Sequence, residues 1–266
     1  MLMTVCKEER HDMPAKLFTA ILCCFLFLAA TASSAPKEKE PEPINCLDCH
    51  ADLAPEKGAH PAVAMGCPSC HTAIDASDIP HKKTNKVAKG LSADQPDLCY
   101  GCHDKSMFEK KNVHAAVGMG CTGCHNPHAS TNPKLLSAAL PDLCYNCHDK
   151  GMFTKKSVHP PVAGGMCTSC HSPHSSDQAS LLLQPVADLC VTCHATVTGR
   201  HVLANYGLGG VHPLKGKPDP SKAGRELSCI SCHNPHSSSQ QKLFRNETGS
   251  PCLMCHTKIV VRTEGP

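Results

Sequence analysis

Nine times in 266 residues the chain spells Cys-x-x-Cys-His. The copies begin at Cys46, Cys67, Cys99, Cys121, Cys144, Cys167, Cys190, Cys229 and Cys252, and they are numbered one to nine below. Together they use 18 of the 21 cysteines, and the other three (Cys6, Cys23, Cys24) precede the candidate cleavage site of an export signal. Two thiols three positions apart with a histidine directly after them form the c-type haem attachment pattern. Each thiol adds to one haem vinyl group, and the adjoining histidine becomes an axial ligand of the iron. The thioether pairs are therefore Cys46/Cys49, Cys67/Cys70, Cys99/Cys102, Cys121/Cys124, Cys144/Cys147, Cys167/Cys170, Cys190/Cys193, Cys229/Cys232 and Cys252/Cys255. Zinc ribbons and disulfide frameworks also pair cysteines, but neither needs a histidine after every second one.

The histidines balance this count. Of 19, His11 lies in the leader and nine are proximal: His50, His71, His103, His125, His148, His171, His194, His233 and His256. Nine remain as candidate distal ligands: His60, His81, His114, His128, His159, His174, His201, His212 and His236. Nine irons each need a sixth ligand, so two histidines per iron are expected, with His201 lacking a counterpart in the other units. Methionine is the competing ligand, and Met65, Met107, Met119, Met152 and Met166 lie near motifs; thioethers more often serve as packing. In His125-Asn126-Pro127-His128 the link is too short for both rings to grip opposite faces of one iron. His128 is expected to reach a neighbouring haem, as are His174 and His236. His114 and His159 are expected to serve a haem of their own pair, either their own motif's or its predecessor's.

Self-similarity organises the rest. Asp97-Leu98-Cys99-Tyr100 through Met107-Phe108 and Val113-His114 recurs as Asp142-Leu143-Cys144-Tyr145 through Met152-Phe153 and Val158-His159. The reading is a signal peptide over 1–35, a charged Pro-rich leader over 36–45, and a nonahaem domain over 46–266. That domain comprises four two-haem units (46–98, 99–143, 144–189, 190–251) and a terminal half unit (252–266). Lys16 precedes an apolar run from Leu17 to Ala30 and small residues follow, so cleavage after Ala32 or Ala35 fits an export signal, with Met13 as an alternative start. The run is too short for the roughly 20 residues of a membrane span. Aromatics make up 3% of the chain and Trp is absent, so an ordinary core is not expected. The fold class expected is a multihaem cytochrome c: mostly irregular loops with short α-helices, little or no β, and a core of stacked haems. Asp97, Asp142 and Asp188 stand where helix N-caps would precede attachment cysteines. Net charge is +3 with no dense basic face, which excludes a nucleic-acid partner.

The paired motifs, the upstream Val-His step and the His-Asn-Pro-His or His-Ser-Pro-His ending together resemble the doubled-CXXCH family of multihaem c-type cytochromes. The resemblance covers essentially all of the mature chain. It extends to periplasmic decahaem subunits of outer-membrane porin–cytochrome conduits, from which this chain differs in having nine motifs and no His-x-Pro-His at His71. The resemblance implies low-potential electron transfer along nine covalent haems in anaerobic or metal-respiring bacteria. The implied partners are other cytochromes, inner-membrane quinol oxidases or porin–cytochrome complexes. The periplasm is the expected compartment, with outer-membrane-associated or extracellular placement as alternatives. A haem reductase of the nitrite or hydroxylamine type would need one open iron, often marked by an altered motif, and all nine motifs here are regular. A subunit of an extracellular haem filament would use the same chemistry as a soluble carrier. No catalytic residue and no enzymatic activity is expected.

Overall fold

The computed structural model describes residues 44–55, 57–197, 216–246 and 251–256. The signal segment, most of the leader, His201 and His212 lie outside the described residues. Among them, no helix is long and apolar enough to cross a membrane.

Each motif is one closed turn. The N–H of the motif histidine donates to the carbonyl of the first cysteine at all nine copies, with N···O distances of 2.8–3.0 Å. Four residues separate donor from acceptor, the span of one α-helical bond. The chain then leaves, because Gly, Pro and Asp follow too soon for propagation to offset the cost of nucleation. Third, fifth and seventh motifs start in helices α1 (Asp97–Tyr100), α2 (Asp142–Tyr145) and α4 (Val186–Val191). Helix α3 (Pro160–Ala163) follows His159, and α5 (Cys229–Cys232) is the eighth motif itself. Most other turns are short 3₁₀ segments, so loops carry most of the chain.

The aspartates expected to cap these helices do not. Pro96, Pro141 and Pro185 occupy the cap positions, and Asp97, Asp142 and Asp188 sit inside the first turn. The carbonyls of Pro96 and Pro141 already accept from Tyr100 and Tyr145, so each helix starts one residue earlier. The carboxylates there meet the positive end of the peptide dipoles instead. Side-chain caps occur just after the motifs, where Asp104 accepts from the Ser106 amide and Asp149 from that of Gly151.

Three two-residue ladders tie the loops together. Strand β1 (Ile74–Asp75) pairs antiparallel with β2 (Lys82–Lys83) inside unit one. Strand β3 (Asn112–Val113) pairs with β5 (Ser175–Ser176), and β4 (Ser157–Val158) with β6 (Ser237–Ser238). A bridge between Ala59 and Ala129 repeats that contact one unit earlier. Each of the first three units therefore pairs the stretch before its second motif with the stretch after the second motif of the next unit.

Burial is inverted relative to an ordinary domain. Ala73 and Leu227 are the buried apolar residues among the described ones, whereas Ser175, Ser176, Ser231, Ser237, Ser238 and Asp219 are buried. The serines close the ladders: Ser175 and Ser237 hydroxyls donate to the Met107 and Met152 carbonyls at 2.7 and 2.8 Å. Met65 and Met119, directly before second motifs, are each 68% exposed. Apolar side chains thus border the attachment sites rather than one another.

Candidate functional site

Seven of the nine motif histidines stand opposite a histidine from outside any motif. The ring pairs are His50–His81, His103–His60, His71–His128, His148–His114, His125–His174, His194–His159 and His171–His236. Their centroids lie 5.8 to 6.2 Å apart. A first-row metal bound by two imidazole nitrogens at about 2.0–2.1 Å holds them about 4 Å apart, which puts the ring centres about 6 Å apart. The spacing therefore fits one iron between two rings. Among the described residues no group of three or more His, Cys, Asp or Glu converges. Ligands supplied in twos suit a planar macrocycle that provides the other four. The exposed methionines beside the motifs fit the same group, since they would pack on its apolar faces.

The pairing follows one rule, and it corrects an expectation. His60, His114 and His159 each face the first motif of the following unit, at His103, His148 and His194. His114 and His159 thus face neither their own motif's histidine nor its predecessor's. The cross-unit ladders explain this, because they carry the Val-His segment past its own motif to the next one. The outward links reach the other way. His128, His174 and His236 face the second motif of the preceding unit, at His71, His125 and His171. His81, held by the β1–β2 hairpin, faces His50 within unit one at an interplanar angle of 56°. The backbones of the two kinds of link join as well: His60, His114 and His159 amides donate to the His128, His174 and His236 carbonyls at 2.7, 2.8 and 3.0 Å.

Second-motif histidines are oriented by backbone carbonyls. Nδ1 of His71, His125, His171 and His233 lies 2.9, 2.8, 2.8 and 2.7 Å from the carbonyls of Lys89, Lys134, Ser180 and Lys242. A carbonyl only accepts, so each Nδ1 carries the proton and Nε2 is the unprotonated nitrogen, the one able to bind a metal. All four residues that present these carbonyls have positive φ, 54° to 58°. In three of them a leucine with positive φ follows (Leu135, Leu181, Leu243), and in unit one it is Gly90. Such a turn is expected of Asn-Gly, not Lys-Leu, which is why the sequence gives no signal for it.

Sulfur anchors also approach one another. The Cys46, Cys99 and Cys144 thiols hydrogen-bond those of Cys67, Cys121 and Cys167. Burial, together with the neighbouring thiol, pushes Cys99 and Cys144 up to about 11. Cys190 and Cys229 share the same contact. These thiols stand for thioether sulfurs, so the two haems of one unit would meet at their attachment edges. Burial holds His128, His159, His174 and His236 below the ordinary imidazole value, which keeps them neutral and able to bind metal.

The sequence does not distinguish the two sulfurs of a motif, but the structure does. None of the 18 attachment cysteines is held in a disulfide. The contacts within units join first cysteines only. Among the second cysteines, Cys49, Cys102, Cys147, Cys193 and Cys255 are exposed, whereas Cys70, Cys124, Cys170 and Cys232 are half-buried. The difference comes from the chain after each second motif, which folds back over it. There the Ser92, Ser137, Leu183 and Arg245 amides donate to the Cys70, Cys124, Cys170 and Cys232 carbonyls, each at 2.9 Å. Cys70 and Cys124 also lie near the first cysteine of the following unit, and their charge helps to raise the Cys99 and Cys144 thiols. Cys170 stands in the same relation to Cys190 across the next boundary, and it also lies near Cys193, where burial first and the Cys193 charge second raise Cys170. Cys70, Cys124 and Cys170 thus lie toward the next unit, while Cys49, Cys102 and Cys147 are exposed at a first motif and Cys193, also exposed, lies near Cys170.

Two features escape sequence reasoning. Phe108 and Phe153 pack on His174 and His236 at 4.7 and 5.1 Å, backed by Tyr100 and Tyr145. The repeated Tyr and Met-Phe were their visible signal. In unit four, fully buried Asp219 takes hydrogen bonds from Ser221, Arg225 and the Ser231 hydroxyl of the eighth motif. These hydrogen bonds hold its carboxyl well below the usual range.

Known proteins match this arrangement. The model of the doubled CXXCH motif family matches residues 60–108, 114–153, 159–199 and 220–260. Three of the four stretches begin at His60, His114 or His159, the histidines that cross to the next unit. The chain is also similar to the multihaem cytochrome MtrA of Shewanella baltica (strain OS185), with 30% identity over 92 residues, 32% of this chain. The match spans a quarter of that protein's length. With more than half of its length matched and the covalent attachment pattern in every matched stretch, this chain belongs to the doubled CXXCH family of multihaem c-type cytochromes.

Proposed function

We propose that the protein carries nine covalently bound haems and passes electrons along them. Each iron is held by a motif histidine and one of the nine others, with His201 and His212 supplying the last two. The reading rests on the seven ring pairs with centroids 5.8 to 6.2 Å apart. Bound haem supplies one-electron redox chemistry; the chain supplies the ligands, their tautomers and the apolar cover. Two nitrogen ligands keep the potential below that of a His/Met site. Attachment sulfurs in contact bring adjacent haems close enough for transfer, and no residue is assigned a catalytic role. Other cytochromes, quinol oxidases or porin–cytochrome complexes of an anaerobic respiratory chain are the proposed donors and acceptors, with the periplasm as the compartment. Intact-mass measurement of the mature protein is expected to give nine haems, and electron paramagnetic resonance of the oxidised protein low-spin signals alone. Fewer haems would overturn the count, and a high-spin signal would revive a reductase with an open iron.

A further inference from the structure

The distal rings are not supported equally. Nδ1 of His60, His81 and His114 lies 3.1, 2.7 and 2.9 Å from the carbonyls of Pro127, Asp78 and Pro173. His159 is bonded in the same way to the Pro235 carbonyl. His174 and His236 make no such bond among the described residues, but Phe108 and Phe153 cover them at 4.7 and 5.1 Å. His128 has neither support among the described residues. Its backbone is fixed, since its carbonyl accepts from the His60 amide and its own amide donates to Asn126 Oδ1. Its ring contact is with His71.

The reason lies in unit one. Phe108 and Phe153 each precede the cross-unit histidine by six residues, and the residue six before His60 is Ala54. Tyr100 and Tyr145 directly follow their attachment cysteines, where unit one has Leu47. The bridge Ala59–Ala129 is the crossing that corresponds to Val113–Ser175 and Val158–Ser237, and Ala54 precedes it by five residues, as Phe108 and Phe153 precede theirs. Of the three described crossings, this one alone lacks the aromatic bracket. An aromatic contact of that kind is worth a factor of about two to ten in the population of the held ring.

We infer that, among the seven described distal histidines, His128 is the exchangeable ligand, and that the position facing His71 at the second motif is a binding site for small haem ligands of the carbon monoxide and cyanide class. The inference rests on the paired-histidine reading above. Binding there needs only that Nε2 of His128 give up its coordinate bond and the incoming carbon form one. No electron is gained or lost, and the neutral imidazole departs on its own side chain.

Carbon monoxide titration of the fully reduced nine-haem protein, followed in the Soret band, tests this. Among the seven described pairs, one equivalent is expected to bind about two- to tenfold more tightly than the others. Building the missing bracket with Leu47→Tyr and Ala54→Phe should weaken that equivalent to the level of the rest. Removing a bracket with Phe108→Ala should add a second tight equivalent at His174. His128→Ala supplies the reference spectrum of this site with its ligand gone. A wild-type protein with no preferred equivalent overturns the inference, as does a preferred equivalent unchanged by the double substitution. Should the double variant fail to mature, a Phe108→Ala protein without a second tight equivalent overturns it equally. The oxidised sample separates the two readings: high-spin iron in the untreated protein refutes paired ligation, whereas low-spin iron without preferential binding refutes only the role of His128.

Discussion

At the scale of single residues, the proton on Nδ1 sets what each ring can do. His125 is typical: its Nδ1 lies 2.8 Å from the Lys134 carbonyl, which leaves Nε2 aimed toward His174. Replacing His174 with Ala should leave thioether attachment intact and convert one haem of the nine to high spin, read by electron paramagnetic resonance. The orienting turn is itself constrained. Lys134 and Leu135 both have φ of 58°, a region that costs a non-glycine residue about 1–2 kcal/mol. Lys134→Gly should therefore be neutral or stabilising, whereas Lys134→Val, β-branched and poorly suited to that region, should destabilise by about 1–2 kcal/mol. Thermal denaturation of the holoprotein separates the two, and equal melting temperatures would refute the strain argument.

Among the elements, the two-residue ladders carry weight out of proportion to their length. Ser237 is completely buried, and its hydroxyl donates to the Met152 carbonyl while accepting from the Lys155 amide. Ser237→Val leaves both groups unpaired and should cost about 1–3 kcal/mol, visible as faster amide exchange at Lys155 and Val158. The Asp219 cluster is a local counterpart. Its carboxyl lies below the ordinary value in the fold, so its contribution is fully present above the ordinary carboxylate range. It is lost as pH falls through the lowered value. Asp219→Asn should accordingly loosen the 216–231 segment at neutral pH, with amide exchange at Leu227 the reporter. How much of this was legible beforehand divides by chemistry. The attachment cysteines, motif histidines and loop-dominated fold follow from covalent pattern and composition, which act locally. The partner of each distal histidine does not, because β3–β5 and β4–β6 bring together residues more than 60 apart in sequence. Nor does the contrast between exposed Cys102 and half-buried Cys124, which depends on the chain returning to the Cys124 carbonyl. The carbonyl-presenting turns were invisible for another reason: Lys-Leu and Ser-Leu adopt them against their own preference.

In the whole molecule, no unit is complete alone. A fragment spanning residues 46–143 keeps His60, His81 and His128 but loses His174, the ring opposite His125. Such a fragment should attach four haems and show high-spin iron at one of them, whereas four independent units would give none. The polypeptide also lacks an apolar core among its described residues, Ala73 and Leu227 apart. Chain made without haem attachment should therefore behave as an open, protease-sensitive polymer, and circular dichroism with limited proteolysis would detect any residual fold. The backward reach of His128, His174 and His236 has a consequence in time. A chain threaded across a membrane from its N-terminus delivers His60 before His103, so the first-motif sites of the second, third and fourth units find their partner already waiting. His71 and His171 must wait 57 and 65 further residues for theirs. Maturation is thus staggered, with alternate centres held half-finished until the following unit emerges, and a stalled chain would display a ligand-deficient iron at its trailing end.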